Sequence, residues 1–194
     1  MQRRTTLTIT ALLAALLLLT LSSPGYSCVG RILNLTVNDS PEQQLVAQIL
    51  KTYIAERTGT TVEIVTGTET DKAQCPTDIC IFYLNTGVSG MGSDTQSSDD
   101  AEIYSLVKEY YIENKNIVWL KPFGYKGPVQ QDDASLAVPV ANRESLVKFP
   151  ILDRVINKLG DLIDDASLQQ LLQQTEGGDP AAVAKDFLKA KNLI

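Results

Sequence analysis

A strand, a helix and a second strand follow one another early in the chain, and this order restricts the fold more than any other feature of the sequence. Arg31 to Val37 alternates in a β-like pattern, and Thr61 to Thr66 is a second β-rich run. Between them, Ser40 is placed to cap a helix that begins at Pro41 and ends at Gly59. Two strands joined by one helix lie parallel in one sheet, with a right-handed crossover. The sequence therefore predicts an α/β protein.

Further patterns extend this unit. Asp78 to Tyr83 and Ile117 to Leu120 predict a third and a fourth strand, with a helix from Ala101 to Glu113 between them. After residue 140 the chain is predicted to be helical: a turn capped by Asn142 and running to Lys148, and helices from Pro150 to about Lys158, from Ala166 to Gln174 and from Pro180 onward. The expected fold is α/β, with an open, mostly parallel sheet, flanking helices and a helical C-terminal part.

The N-terminal residues have the composition of an export signal. Arg3 and Arg4 precede the apolar run Ala11 to Leu19, and small residues follow. The apolar run is short for a membrane span. Cleavage before Cys28 would divide the chain into a signal peptide, residues 1–27, and a single domain, residues 28–194. We therefore expect an exported protein of the periplasm or cell envelope.

The chain contains three cysteines, and an exported protein meets an oxidising compartment. Cys75 and Cys80 are close enough in sequence to form a disulfide, which leaves Cys28 as the odd thiol. An acyl chain on Cys28 would explain it, although Gly25 stands where a lipoprotein signal usually has Leu. A lone pair of cysteines in a chain without histidine is poor evidence for zinc.

Charge and motifs exclude several functions. The whole chain has 17 basic and 23 acidic residues, so removal of Arg3 and Arg4 with the signal gives 15 minus 23, or -8. An acidic surface without clustered Lys and Arg argues against a nucleic-acid partner. There is no histidine, no G-x-S-x-G, no P-loop and no G-x-G-x-x-G. The sequence predicts no enzyme and no cofactor or metal site.

Four segments resemble the substrate-binding proteins of ABC transporters for glycine betaine, choline and proline. They are "LNLTVNDSPEQQLVAQILKTYIAERTGTTVEIV", which has the family's Glu-Gln pair at Glu42 and Gln43, "TDICIFYLNTG", "NIVWLKPFGY" and the C-terminal stretch "FPILDRVINKLGDLIDDASLQQLLQQTEGGDPAAVAKDFLKAKNLI". The resemblance implies a small zwitterionic or cationic solute, an ABC transporter permease as partner, and the fold of one lobe of a type II periplasmic binding protein.

The resemblance also implies that one lobe is missing. In the family, the strand equivalent to Ile117–Leu120 leads into a whole second lobe before the chain returns to the first. Here only Lys121 to Pro139 fills that place, which is too short for a lobe. A single lobe offers an open half-site, so a second reading remains: an interaction module that binds no solute and docks a permease or another exported protein.

Ligands of open parallel sheets collect beyond the carboxyl ends of the strands. The candidate site residues at these ends are Asp39, Ser40, Tyr83, Asn85, Thr86, Phe123 and Tyr125. The aromatic side chains could face a quaternary ammonium, and Asp39 would favour a cation. Ser40 can equally be a plain helix cap, and Tyr83 can equally be a core residue. Trp119 is expected in the core.

Overall fold

The computed structural model describes residues 31–67, 73–92, 99–128 and 133–194. The predictions for the signal peptide and for Cys28 therefore lie outside the described residues. The strands of the described part are β1 (Ile32–Val37), β2 (Thr61–Thr66), β3 (Ile79–Tyr83), β4 (Ile117–Trp119), β5 (Lys126–Gly127) and β6 (Ser135–Asn142). Its helices are α1 (Pro41–Thr58), α2 (Leu84–Met91), α3 (Asp100–Asn114), α4 (Arg143–Lys148), α5 (Leu152–Asn157), α6 (Asp165–Thr175) and α7 (Pro180–Ala190). Among these helices, none combines the length and the apolar composition that a membrane crossing requires.

The sheet has the order β2-β1-β3-β6-β4, and β5 pairs with β6 outside this path. β1 is parallel to β2 and to β3, whereas β6 runs antiparallel to both β3 and β4. The carboxyl ends of β1, β3 and β4 therefore lie at one edge of the sheet, the carboxyl edge. Their amino ends lie at the opposite edge, the amino edge.

β6 corrects the prediction that no strand follows β4. Its apolar residues are buried on both faces, which removes the alternation that marks a half-exposed strand. Pro139 in its interior also argues against a central strand. Pro139 O accepts a hydrogen bond from Leu120 N at 3.0 Å. Both backbone groups of such a residue face the same strand in an antiparallel pair, so the N–H that proline lacks would have faced Leu120 O. Tyr104 supplies the missing donor, because its hydroxyl donates to Leu120 O at 2.8 Å.

Helices cover both faces of the sheet and enclose two cores. α1, α5, α6 and α7 pack together on one face, where Tyr53 and Phe187 are buried as expected. α2 and α3 lie over the other face, where Phe82, Tyr111 and Trp119 form the aromatic centre of the second core. The sequence prediction of an α/β fold with an open sheet, flanking helices and a helical C-terminal part is confirmed. The sheet is mixed, because β6 runs antiparallel to the strands on both sides of it.

Cys75 and Cys80 are joined by a disulfide in the second core. Asn142 Nδ2 donates to the carbonyl oxygens of Cys75 and Thr77, so the segment before β3 is tied to the end of β6. Asp78 adds a second tie, because its carboxylate accepts from Asn34 N and from the Ser145 hydroxyl.

Candidate functional site

The turn between β1 and α1 is built by side chains that satisfy the first backbone donors of the helix. Ser40 Oγ accepts from Gln43 N at 3.4 Å, which is the predicted cap. The Gln43 side chain does not close a reciprocal capping box, since its Oε1 accepts from Asn38 N at 2.9 Å. Asn38 Oδ1 in turn accepts from Ser40 N at 3.0 Å. Ser40 is therefore half-buried in a structural network, and Asp39 is exposed beside it.

Glu42 and Tyr83 form a buried polar pair at the carboxyl edge. The Tyr83 hydroxyl donates to Glu42 Oε1 at 3.3 Å, and each residue is only 6% exposed. Burial, followed by the neighbouring Glu42 carboxylate, raises the pKa of Tyr83 well above its usual range. The hydroxyl therefore stays protonated and acts as a donor to the carboxylate. Glu42 also lies at the start of α1, where the helix dipole favours a negative group.

Tyr125 lies close to this pair and carries an unsatisfied hydroxyl. The residue is fully buried, and its hydroxyl has no hydrogen-bond partner among the described residues. Burial, with smaller contributions from Tyr83 and Glu42, raises the pKa of Tyr125 well above its usual range. A buried hydroxyl without a partner costs about 1–3 kcal/mol, so this group is expected to lower the stability of the fold.

Phe123 and Tyr125 do not present open aromatic faces as the sequence analysis expected. Both are 0% exposed and stack on each other with ring centroids 6.1 Å apart and planes 15° apart. The reason is that residues 121–127, which we call the strap, run as an ordered segment between β6 and residues 161–165. Pro and Gly in the strap suggested a loose loop, but the neighbouring backbone holds it on both sides.

Hydrogen bonds fix the strap along its length. Phe123 N donates to Ala137 O at 3.0 Å, and Ala137 N donates to Tyr125 O at 3.1 Å. On the other side, Ile163 N donates to Phe123 O at 3.2 Å. Near the end of the strap, Lys126 N donates to Asp165 Oδ1 at 2.7 Å, and Lys126 Nζ lies 2.6 Å from Asp100 Oδ2. The strap is thus part of the folded core.

Gly127 allows the strap to approach Tyr83 closely. A Cβ atom at Gly127 would lie 2.5 Å from Tyr83 Cε1, a distance that real Cβ atoms essentially never show. The absence of a side chain at this position lets β5 cover the Tyr83 ring. The three predicted aromatic residues are therefore brought together, because Phe123 stacks on Tyr125 within the strap and the strap covers Tyr83, but they are buried rather than open to a cleft.

Asn85 and Thr86 lie in the first turn of α2 and are half-buried. Asn85 N donates to Ser135 Oγ at 3.0 Å, and Asn85 Nδ2 donates to Asp133 O at 3.0 Å. Thr86 N donates to the Asn85 side chain at 2.7 Å. These contacts join α2 to the start of β6, and they lie at the carboxyl edge as predicted.

A pocket of about 570 Å³ opens beside the buried pair, between the start of α1 and the second half of α6. Its lining residues are Pro41, Glu42, Gln169, Leu172, Gln173, Thr175 and Glu176. Two carboxylates, two amides and one hydroxyl face this space, and none of the described residues in its wall is Lys or Arg. Its chemistry suits a small cationic group.

Neither Glu42 nor α6 was predicted from the sequence as part of the site. Glu42 was identified only as half of the Glu-Gln pair that resembles the family. Its position at the start of a capped helix suggested that it stabilises the helix. No periodicity in α6 indicates a pocket, because Gln169, Gln173 and Glu176 are ordinary exposed polar residues of an amphipathic helix. Only the tertiary contact between α1 and α6 creates the pocket.

Residues 111–190 match the family model described as the substrate binding domain of the ABC-type glycine betaine transport system. The resemblance to this family is confirmed. The matching family is one of solute-binding proteins rather than an enzyme class. No protein of described function matches the sequence significantly.

Two solved structures show the same fold at low sequence identity. A crystal structure of a glycine betaine/carnitine/choline ABC transporter matches with a TM-score of 0.71 and 15% identity, over 83% of this chain and 99% of that chain. Apo YehZ from Escherichia coli matches with a TM-score of 0.66 and 15% identity, over 86% of this chain and 100% of that chain. At this identity the likeness establishes the fold, and the ligand has to be argued from the site.

Proposed function

We propose that the protein is the solute-binding component of an ABC transporter for a small quaternary-ammonium or zwitterionic osmolyte, such as glycine betaine or choline. The observation that carries this proposal is the Glu42 carboxylate, which lines the 570 Å³ pocket while the Tyr83 hydroxyl holds it in place. A cation in this pocket would meet a negative group that is already oriented. The family match over residues 111–190 supports the solute class.

Replacement of Glu42 by Gln tests the pocket. Calorimetry with glycine betaine, choline, carnitine and proline should show binding of at least one solute to the wild type. Glu42→Gln should weaken that binding about tenfold, because the desolvated charge contact with the cation is lost while the side-chain shape is kept. Asp153→Asn, an exposed carboxylate of α5 outside this pocket, is the charge-matched control and should bind like the wild type.

Two results would count against the proposal. No heat from any of the four solutes at high concentration would contradict solute binding and leave the docking module as the better reading. Binding that is equally strong in Glu42→Gln and in the wild type would place the solute elsewhere on the chain. A thermal melt of each variant separates loss of the site from loss of the fold.

We also propose export through residues 1–27, an acyl anchor on Cys28 and a permease as partner. The supporting sequence features are the two arginines, the apolar run and the odd cysteine. Cys28→Ala should move the processed protein, without residues 1–27, from the membrane fraction to the soluble periplasmic or extracellular fraction, since the lipid on Cys28 is the anchor that this proposal gives the mature chain. Retention of Cys28→Ala in the membrane fraction after a high-salt wash would contradict the anchor.

A further inference from the structure

The Glu42 pocket receives carboxylates from both of the helices that form it. Glu42 contributes one from the start of α1, and Glu176 contributes the other from the end of α6. Glu176 is exposed, and within the described part of the chain no Lys or Arg forms an ion pair with it. The two carboxylates therefore bring negative charge to one small space whose described wall holds no basic side chain.

The end of α6 adds to this negative field. α6 ends at Thr175, and Glu176 is its C-terminal cap. The last carbonyl groups of a helix carry a partial negative charge, which favours a cation close to the last turn. The Thr175 hydroxyl donates its hydrogen to Leu172 O at 2.7 Å, so its oxygen keeps the capacity to accept a hydrogen bond. α6 thus supplies the pocket with acceptors and negative charge.

The start of α1 favours an anion through its dipole, but the helix already uses this end for its own groups. Pro41 has no N–H, and Gln43 N donates to Ser40 Oγ at 3.4 Å. Gln44 N donates to Ser40 O at 3.0 Å. The Glu42 side chain is itself the negative group that this end of the helix stabilises. A solute carboxylate would therefore meet another carboxylate there rather than an open set of donors.

The lysines of the strap and of residues 180–194 are engaged away from this pocket. They pair with acids that are not part of its wall: Lys121 with Asp161, Lys126 with Asp100, Lys185 with Glu56 and Lys189 with Asp186. Lys191 instead lies over the ring of Phe187, with its Nζ 5.8 Å from the ring centroid. A solute carboxylate would have to compete with these partners for a cation.

The neutral polar groups of the wall do not require a solute carboxylate either. Gln169 and Gln173 are exposed amides of α6, and an amide can donate to a hydroxyl as well as to a carboxylate. Trp, Tyr and Phe are absent from the described wall, so the positive group of a solute would be held by charge rather than by aromatic faces. The wall therefore distinguishes solutes mainly by their charge.

We propose that the Glu42 pocket selects cations without a carboxylate, such as choline, against zwitterions such as glycine betaine, carnitine and proline. Glu42 holds the ammonium group, and Glu176 opposes a solute carboxylate. This selection rests on the proposed function, because it concerns the same pocket, and it narrows the solute class to the cationic members. Choline and glycine betaine form a matched pair, since both carry a trimethylammonium group and differ only in the hydroxymethyl or carboxylate group at the other end.

Calorimetry at low ionic strength with choline and glycine betaine tests the selection. The wild type should bind choline at least about tenfold more tightly, because a carboxylate without a cationic partner loses hydration and is repelled by the two glutamates. Glu176→Lys should weaken choline binding and strengthen glycine betaine binding, so that the ratio of affinities falls about fivefold or more. Glu109→Lys has the same change in net charge on α3, at the other face of the sheet, and should keep the wild-type ratio.

The outcomes separate this selection from the proposed function. Glycine betaine that binds as tightly as choline, with both weakened by Glu42→Gln, would overturn the selection and leave the solute site in place. An unchanged ratio in Glu176→Lys, or an equal change in Glu109→Lys, would overturn the local action of Glu176. Absence of heat from all four solutes would overturn the solute site and the selection together. Because Glu176 is exposed, Glu176→Lys should melt like the wild type, which a thermal melt checks.

Discussion

Phe123→Ala should lower the free energy of unfolding by about 3–5 kcal/mol, a large part of the stability of an ordinary domain. Phe123 is completely buried, stacks on Tyr125 and lies in the core that α1, α5, α6 and α7 share. The strap cannot close over the cavity easily, because its backbone is bonded to Ala137 and Ile163 on opposite sides. Urea unfolding followed by circular dichroism measures the change.

Tyr125→Phe is the matched control for this experiment. It keeps the ring and removes only a buried hydroxyl that has no partner among the described residues. We expect the variant to be as stable as the wild type, or more stable by about 1 kcal/mol, since an unsatisfied polar group is lost. If Phe123→Ala were as stable as the wild type, the strap would be a loose cover over an open half-site. That open arrangement is the one that the sequence predicts.

The first strands and the helix between them could be predicted because the residues that mark their boundaries act on the backbone next to them. Ser40, Pro41 and Gly59 each mark a helix boundary by their own backbone chemistry, and the structure begins and ends α1 at those positions. β6 could not be recognised in the same way. Its burial on both faces and the replacement of the Pro139 donor by the Tyr104 hydroxyl depend on segments that are distant in the chain.

The candidate site was predictable only in part. The rule that ligands collect beyond the carboxyl ends of parallel strands led to Tyr83, which the structure places next to Glu42. The exposure of Phe123 and Tyr125 was wrongly predicted, because proline and glycine in a short segment do not reveal whether neighbouring backbone will pair with it. The pocket between α1 and α6 joins residues more than a hundred positions apart, and no pattern within either helix indicates the other.

Trp119→Ala should have an effect of similar size in the second core, about 3–5 kcal/mol of lost stability. Trp119 is fully buried and lies between Phe82 and Tyr111, with ring centroids at 6.0 Å and 5.3 Å. Aromatic pairs in such tilted arrangements contribute about 0.5–1.5 kcal/mol beyond the area they bury. The variant should unfold at a lower urea concentration and leave the Glu42 pocket, on the other face of the sheet, able to bind its solute.

Gly87 provides a sharper test of the same packing, because the cost of one substitution at this position should depend on Trp119. A Cβ atom at Gly87 would lie 2.4 Å from Trp119 Cη2, so Gly87→Ala in the wild type should cost about 1–3 kcal/mol through overpacking. In a Trp119→Phe background the indole atoms that meet this methyl group are gone. Gly87→Ala should then cost less than in the wild type, although the added methyl group would still lie 2.8 Å from Val107 Cγ1. Equal costs in the two backgrounds, measured as a double-mutant cycle by urea unfolding, would show that the indole does not limit the approach of α2 to the sheet.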